Sequence, residues 1–290
     1  MTNLGQRYAV GDRKLWLHRE SGAGTPTVVF LPGAGLVGLD FLAAQRHSGD
    51  AVTYDRAGTG WSDAAPLPRS AAEVAEELRA LLSAADVAGP VILAGHSLGA
   101  FYARRYAQLF PTEVAGLLLL DPGHEDIFDF LPPEARALDA EIKSYTDAIP
   151  DLTDEQKAAA RGQYAQLYAA WPAAERDALT DYHLDQWRVA IAETRNFDTE
   201  VHAELRAGGP LPDVPLVVLT AGAQNPVWTR FADADLVARA HAGIDAMHQA
   251  MAAAVPRGAH RVVPGAAHGF LPMQHPGAIA EAVATIRAQA

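Results

Sequence analysis

The chain has 290 residues, a formal net charge of −12, 49% hydrophobic and 20% charged residues, and no cysteine. That length can build one large core or a core with an insertion, and the acidic balance argues against nucleic-acid or anionic-membrane binding, which needs a cationic surface. Without cysteine there is no disulfide, thiolate metal site or cysteine nucleophile.

Residues 1–7 lack the apolar core of a signal peptide, and the longest apolar stretch, near 114–120, is too short to span a bilayer. The location expected from this is cytoplasmic, with no membrane partner. Residues 8–10 and 15–17 flank Gly11-Asp12 and read as an opening antiparallel hairpin. The runs 27–31, 51–54, 91–94, 117–120 and 216–219 are apolar at every position, the pattern of parallel strands covered on both faces. Between 70 and 85 the sequence predicts a helix, opened by a Ser70/Glu73 capping box ahead of Val74, Leu78, Leu81 and Leu82. Another helix follows from 100 to 110 and stops at Pro111. Strands alternating with helices imply an α/β class and a mostly parallel, doubly wound sheet.

From about 123 to 208 the alternation stops. Helix-like stretches begin near Pro133, Thr153, Ala173 and Arg195, and aromatics recur from Phe128 to Phe197. Each aromatic alone reads as packing; together they suggest an apolar pocket beneath a helical cap. The expected division is a core of residues 1–122 and 207–290, with a cap inserted at 123–206. A small-molecule substrate would bind beneath it.

The chemistry centres on Gly95-His96-Ser97-Leu98-Gly99, a G-x-S-x-G between an apolar run and a helix. In that context the serine occupies a tight turn that exposes its hydroxyl as a nucleophile. A serine hydroxyl is weak and needs a base, which a carboxylate must orient. Among eleven histidines His268 fits, because it follows the strand-like Val262-Val263 and a small-residue loop near the chain's end. His275 is the nearest rival and reads as the start of a final helix from Pro276. Two backbone N–H groups should hold the developing oxyanion: Leu98, directly after the nucleophile, and Ala34 in Leu31-Pro32-Gly33-Ala34-Gly35.

These stretches, with Tyr54-Asp55-Arg56-Ala57-Gly58-Thr59-Gly60-Trp61-Ser62-Asp63 and Gly265-Ala266-Ala267-His268, resemble the α/β-hydrolase superfamily over nearly the full chain. The resemblance implies the α/β-hydrolase fold and serine chemistry, with Asp55 to Asp63 as a structural loop. It implies no particular substrate. Family members usually carry the acid after the strand at 216–219, where this chain has Gly222-Ala223-Gln224-Asn225, an amide in place of the carboxylate. Some branches place the acid one strand earlier, where 117–120 runs into Asp121. Asp121 is therefore the expected triad acid, with Asn225, Glu125 and Asp126 as alternatives.

The expected activity is hydrolysis of a small carboxylic ester through an acyl-enzyme on Ser97, with no metal and no cofactor. The same residues would serve amide, lactone or carbon–carbon bond hydrolysis or acyl transfer, and the scaffold could instead serve as a small-molecule sensor. A serine nucleophile argues against epoxide hydrolase and haloalkane dehalogenase chemistry, for which the resemblance would require aspartate.

Overall fold

The computed structural model describes residues 4–290; Met1, Thr2 and Asn3, which open the segment read for a signal peptide, lie outside the described residues. Eight strands form one sheet: β1 (Gln6–Val10), β2 (Arg13–Glu20), β3 (Val28–Leu31), β4 (Ala51–Tyr54), β5 (Val91–His96), β6 (Val114–Leu120), β7 (Leu216–Ala221) and β8 (Gly258–Val263). Their order is β1-β2-β4-β3-β5-β6-β7-β8. Strand β2 runs antiparallel to β1 and β4, and every other pairing is parallel.

Side chains alternate across a strand, so a strand apolar at every position must be buried on both faces. That is how the central strands are used. Val29, Leu31, Leu93, Leu117, Leu119 and Val218 point into one core. Val28, Phe30, Ile92, Leu118, Leu120, Val217 and Leu219 point into the other. Helices cover both faces. Five of them flank the sheet: α1 (Leu42–His47), α2 (Ala71–Ala84) and α3 (Leu98–Leu109) early in the chain, α11 (Ala234–Ala253) and α13 (Pro276–Arg287) late. The first core takes α2, α3 and the Met247/Met251 side of α11. The second takes Ala44 of α1 and the Ile279, Val283 and Ile286 stripe of α13. The helix expected at 70–85 starts as its capping box dictates, with Ser70 Oγ accepting from Glu73 N–H at 3.1 Å and Glu73 Oε2 accepting from Ser70 N–H at 3.0 Å.

Between β6 and β7 the described chain has helices joined by loops and no strand: α4 (Ile127–Phe130), α5 (Ala135–Ala148), α6 (Asp154–Leu167), α7 (Ala173–Asp185), α8 (Val189–Thr194) and α9 (His202–Ala207), with a π-helical turn at Phe197–Val201. Two short helices, α10 (Trp228–Phe231) and α12 (Leu271–Gln274), complete the set. Buried polar bonds tie this segment to the core. Trp171 Nε1–H donates to the Leu39 carbonyl at 2.8 Å, and the Tyr168 hydroxyl donates to Asp40 Oδ1 at 2.6 Å. Phe197 meets Phe101 edge-on, 4.7 Å between ring centroids. No helix among the described residues is long and apolar enough to cross a membrane.

Candidate active site

Strand β5 ends at His96 and α3 begins at Leu98, leaving Ser97 alone at the turn with φ 50° and ψ −116°. A non-glycine residue at such a φ is strained, and here the strain projects the hydroxyl above the sheet. Two glycines make the turn sterically possible. A Cβ on Gly95 would lie 2.5 Å from the Gly99 carbonyl oxygen, and one on Gly99 would lie 2.1 Å from that of Leu31.

Two other strand ends deliver partners to Ser97. His268, five residues past the end of β8, has Nε2 3.1 Å from Ser97 Oγ and Nδ1 2.6 Å from Asp121 Oδ2. A carboxylate only accepts, so Nδ1 carries the proton and Nε2 is left to accept from the serine hydroxyl. Asp121 directly follows β6, and its other oxygen, Oδ1, accepts from the Ala221 N–H at 2.8 Å. Burial alone would push the Asp121 pKa up. The bond and charge of His268 outweigh it, and the pKa lies below its usual value. Packing likewise works against a charge on His268, but Asp121 wins and raises its pKa above the ordinary histidine value.

None of the residues weighed as alternative acids bonds to His268. Asn225 Oδ1 accepts from the Val227 N–H at 2.9 Å, closing a local turn ahead of α10. Glu125 forms a two-pronged buried pair with Arg104, at 2.8 and 2.7 Å. Asp126 pairs with Arg206. His275, the rival base, is the residue from which α13 starts.

Leu98 is the first residue of α3, so its N–H has no acceptor within the helix. Ala34 sits in the turn after β3, beside Gly35 at φ 71°. Among the described residues neither amide has a protein acceptor. A cavity of about 140 Å³ opens on Ser97 and His268, walled by Pro122, Ile127, Ile244 and Met247, with Asn225 and His241 at its polar edge. None of the aromatics between Phe128 and Phe197 lines it; Tyr168 and Trp171 instead pack with Trp16, Leu39 and Leu42.

Three supports have partners that the sequence does not name, although Arg56 belongs to the expected structural loop 55–63. His96, 2% exposed, donates from Nε2 to the His268 carbonyl at 2.8 Å and so fixes the backbone that carries that imidazole. Burial, with the neighbouring His268, pushes its pKa down to about 3, keeping it neutral. His248 of α11 donates from Nε2 to the Pro122 carbonyl at 2.8 Å, bracing the loop after Asp121. The third is a buried Arg56–Glu193 pair at 2.7 Å, against the loop that contains Ala34. Their only sequence signal is a polar residue beside a motif, which names no partner.

A mostly parallel sheet covered on both faces, with a strained serine between a central strand and its helix, defines an α/β-hydrolase architecture. The chain belongs to the alpha/beta hydrolase family, whose model matches residues 28–282. The uncharacterized protein YqjL of Bacillus subtilis is 35% identical over 122 residues, covering 40% of this chain and 48% of the relative. A (lyso)-N-acylphosphatidylethanolamine lipase of Homo sapiens is 31% identical over 149 residues, 48% of this chain and 43% of the relative. The chain thus matches less than half the length of these curated relatives. Among solved structures, a hydrolase from Pseudomonas aeruginosa PA01 superposes with a TM-score of 0.64 at 21% identity, covering 98% of each chain, a likeness of fold.

Proposed function

We propose that this protein is a serine hydrolase that cleaves small carboxylic esters through an acyl-enzyme formed on Ser97. The observation that carries the proposal is the single imidazole of His268, bonded at once to Ser97 Oγ at 3.1 Å and to Asp121 Oδ2 at 2.6 Å. In this reading residues 123–206 cap the strand ends, and the substrate reaches Ser97 beneath them.

As Ser97 Oγ attacks the ester carbon, its proton passes to His268 Nε2, and Asp121 stabilises the imidazolium. The carbonyl oxygen gains negative charge and is held by the Leu98 and Ala34 N–H groups. His268 then gives its proton to the departing alkoxide, and the alcohol leaves. Water, deprotonated by the same nitrogen, attacks the acyl carbon; His268 then gives that proton to Ser97 Oγ as the acyl–Oγ bond breaks, releasing the acid and free Ser97.

The cavity volume supports a small substrate. A void of about 150 Å³ in a protein core takes a benzene-sized guest, so 140 Å³ suits a substituent of similar bulk. The lipase named among the relatives supports ester chemistry. The test is labelling by a fluorophosphonate, with intact mass and peptide mapping. One adduct on Ser97 is expected, with none in Ser97→Ala and parallel turnover of p-nitrophenyl acetate or butyrate. Folded protein that takes no label and turns over no ester would overturn the reading.

A further inference from the structure

Both ends of the loop that carries Ala34 are held by one buried ion pair. Arg56 follows β4 and Glu193 lies on α8, 137 residues away, and each side chain is 2% exposed. The guanidinium donates from Nη1 to the Pro32 carbonyl at 2.6 Å and from Nη2 to the Gly33 carbonyl at 3.0 Å. It also donates from Nε and Nη2 to Glu193 Oε1, at 2.9 and 2.7 Å. The second carboxylate oxygen of Glu193, Oε2, accepts from the Gly35 N–H at 2.8 Å. Helix α8 lies directly on this loop: a Cβ at Gly35 would come within 2.7 Å of Ala190 Cβ.

Peptide planarity gives this arrangement a consequence. In a trans peptide the C=O of one residue and the N–H of the next point in opposite directions. Arg56 draws the Gly33 carbonyl toward itself, so the N–H of Ala34 points away from the guanidinium. Were that peptide free to turn over, the carbonyl oxygen would take the N–H's place and repel an oxyanion. Glu193 limits the turn from the other side by engaging the next N–H along, that of Gly35.

We propose that Arg56 and Glu193 are positioning residues that aim the Ala34 N–H at the oxyanion, making turnover at Ser97 depend on α8 being docked. This rests on the serine hydrolase reading, in which Ala34 is one of two oxyanion donors. Neither side chain lines the cavity at Ser97. Both act through the loop, and one of them belongs to the helical segment outside the sheet. An ordinary structural ion pair would stabilise the fold and leave the chemical step alone. This pair has its remaining hydrogen bonds on Pro32, Gly33 and Gly35, on both sides of Ala34, which ties it to transition-state stabilisation.

The test uses the full chain with two variants. Glu193→Gln keeps the shape, but once its one oxygen accepts from Arg56 its NH₂ faces the Gly35 N–H, donor against donor. Arg56→Met combined with Glu193→Met removes both charges at similar volume, which keeps the fold accessible if the single variant is unstable. Hydrogen exchange at Gly35 reads the loop. Expected is at least about a tenfold faster exchange there with β5 unchanged, since an amide that loses its acceptor opens locally. Kinetics on p-nitrophenyl butyrate should show kcat lower by about 10² with KM within a few-fold, the pattern of lost oxyanion stabilisation. The rate of fluorophosphonate labelling at Ser97 should fall in parallel, since its phosphoryl oxygen uses the same donors.

Unchanged Gly35 exchange, or a folded double variant whose kcat and labelling rate stay within threefold of the parent, would overturn the proposal. If the parent labels at Ser97 and hydrolyses no ester, the ester reading falls alone. Exchange and labelling rate then still decide the clamp.

Discussion

Replacing Asp121 by asparagine tests the candidate triad most directly, because the structure dictates what the amide must do. Asp121 Oδ1 accepts from the Ala221 N–H at 2.8 Å, and Oδ2 lies 2.6 Å from His268 Nδ1. In Asp121→Asn the amide oxygen keeps the first bond, which turns the NH₂ toward Nδ1. Two donors cannot share that contact, so the imidazole shifts its proton to Nε2, the nitrogen 3.1 Å from Ser97 Oγ. The base is then blocked, and no carboxylate remains to stabilise the imidazolium. For a serine triad this change costs on the order of 10⁴ in kcat, about 5 kcal/mol at 1.36 kcal/mol per tenfold.

The pH profile carries an independent sign. In the proposed mechanism catalysis needs neutral His268, whose pKa is raised because Asp121 outweighs the packing that opposes its charge. The acid limb of kcat/KM for the parent should therefore lie above pH 6.5. Removing the carboxylate leaves only the lowering effect, and the residual activity should keep its limb below pH 6.5. Stopped-flow or steady-state hydrolysis of p-nitrophenyl acetate between pH 5 and 9 reads both quantities. An Asp121→Asn protein within tenfold of the parent kcat, with its acid limb unmoved, would refute Asp121 as the partner of His268.

Two of the three alternatives to Asp121 make contrasting predictions. Asn225→Ala removes only a local turn bond to the Val227 N–H, so kcat should stay within a few-fold; a loss of 10² or more would reinstate Asn225. Glu125→Ala leaves Arg104 buried without its partner, which should cost about 3–5 kcal/mol. A lower midpoint in urea unfolding would show it, with kcat per folded enzyme unchanged; a fall in kcat at unchanged stability would contradict this account. At the elbow, Gly99→Ala places a Cβ 2.1 Å from the Leu31 carbonyl oxygen. Such overpacking costs roughly 1–3 kcal/mol or more, so thermal unfolding should drop by several degrees, and an unchanged midpoint would count against so tight a turn.

What could be read in the sequence was whatever one stretch of chain decides for itself. Central strands were legible because burial on both faces demands apolar residues at every position. At β8 the same signal fades over Gly258-Ala259-His260-Arg261, since an edge strand is only half covered. The twenty-residue helix α11 gave no distinct sequence signal: alanine is acceptable on every side, so its core face carries little periodic contrast. Ser97, Asp121 and His268 were within reach because each occupies a position defined by a strand end. Nothing local marks Glu193, by contrast. It is one acidic residue in a short helix, and its partner lies 137 residues away. His96 meets the His268 carbonyl across 172 residues in the same way. A buried charge or imidazole announces that it must be satisfied, because leaving it unpaired is costly, but the chain's path alone selects what satisfies it. The groups proposed to react are therefore written in local motifs. The groups that hold them in place are chosen only when distant segments meet: His96 of β5 on the loop after β8, His248 of α11 on the loop after β6, and Glu193 of α8 on the loop after β3.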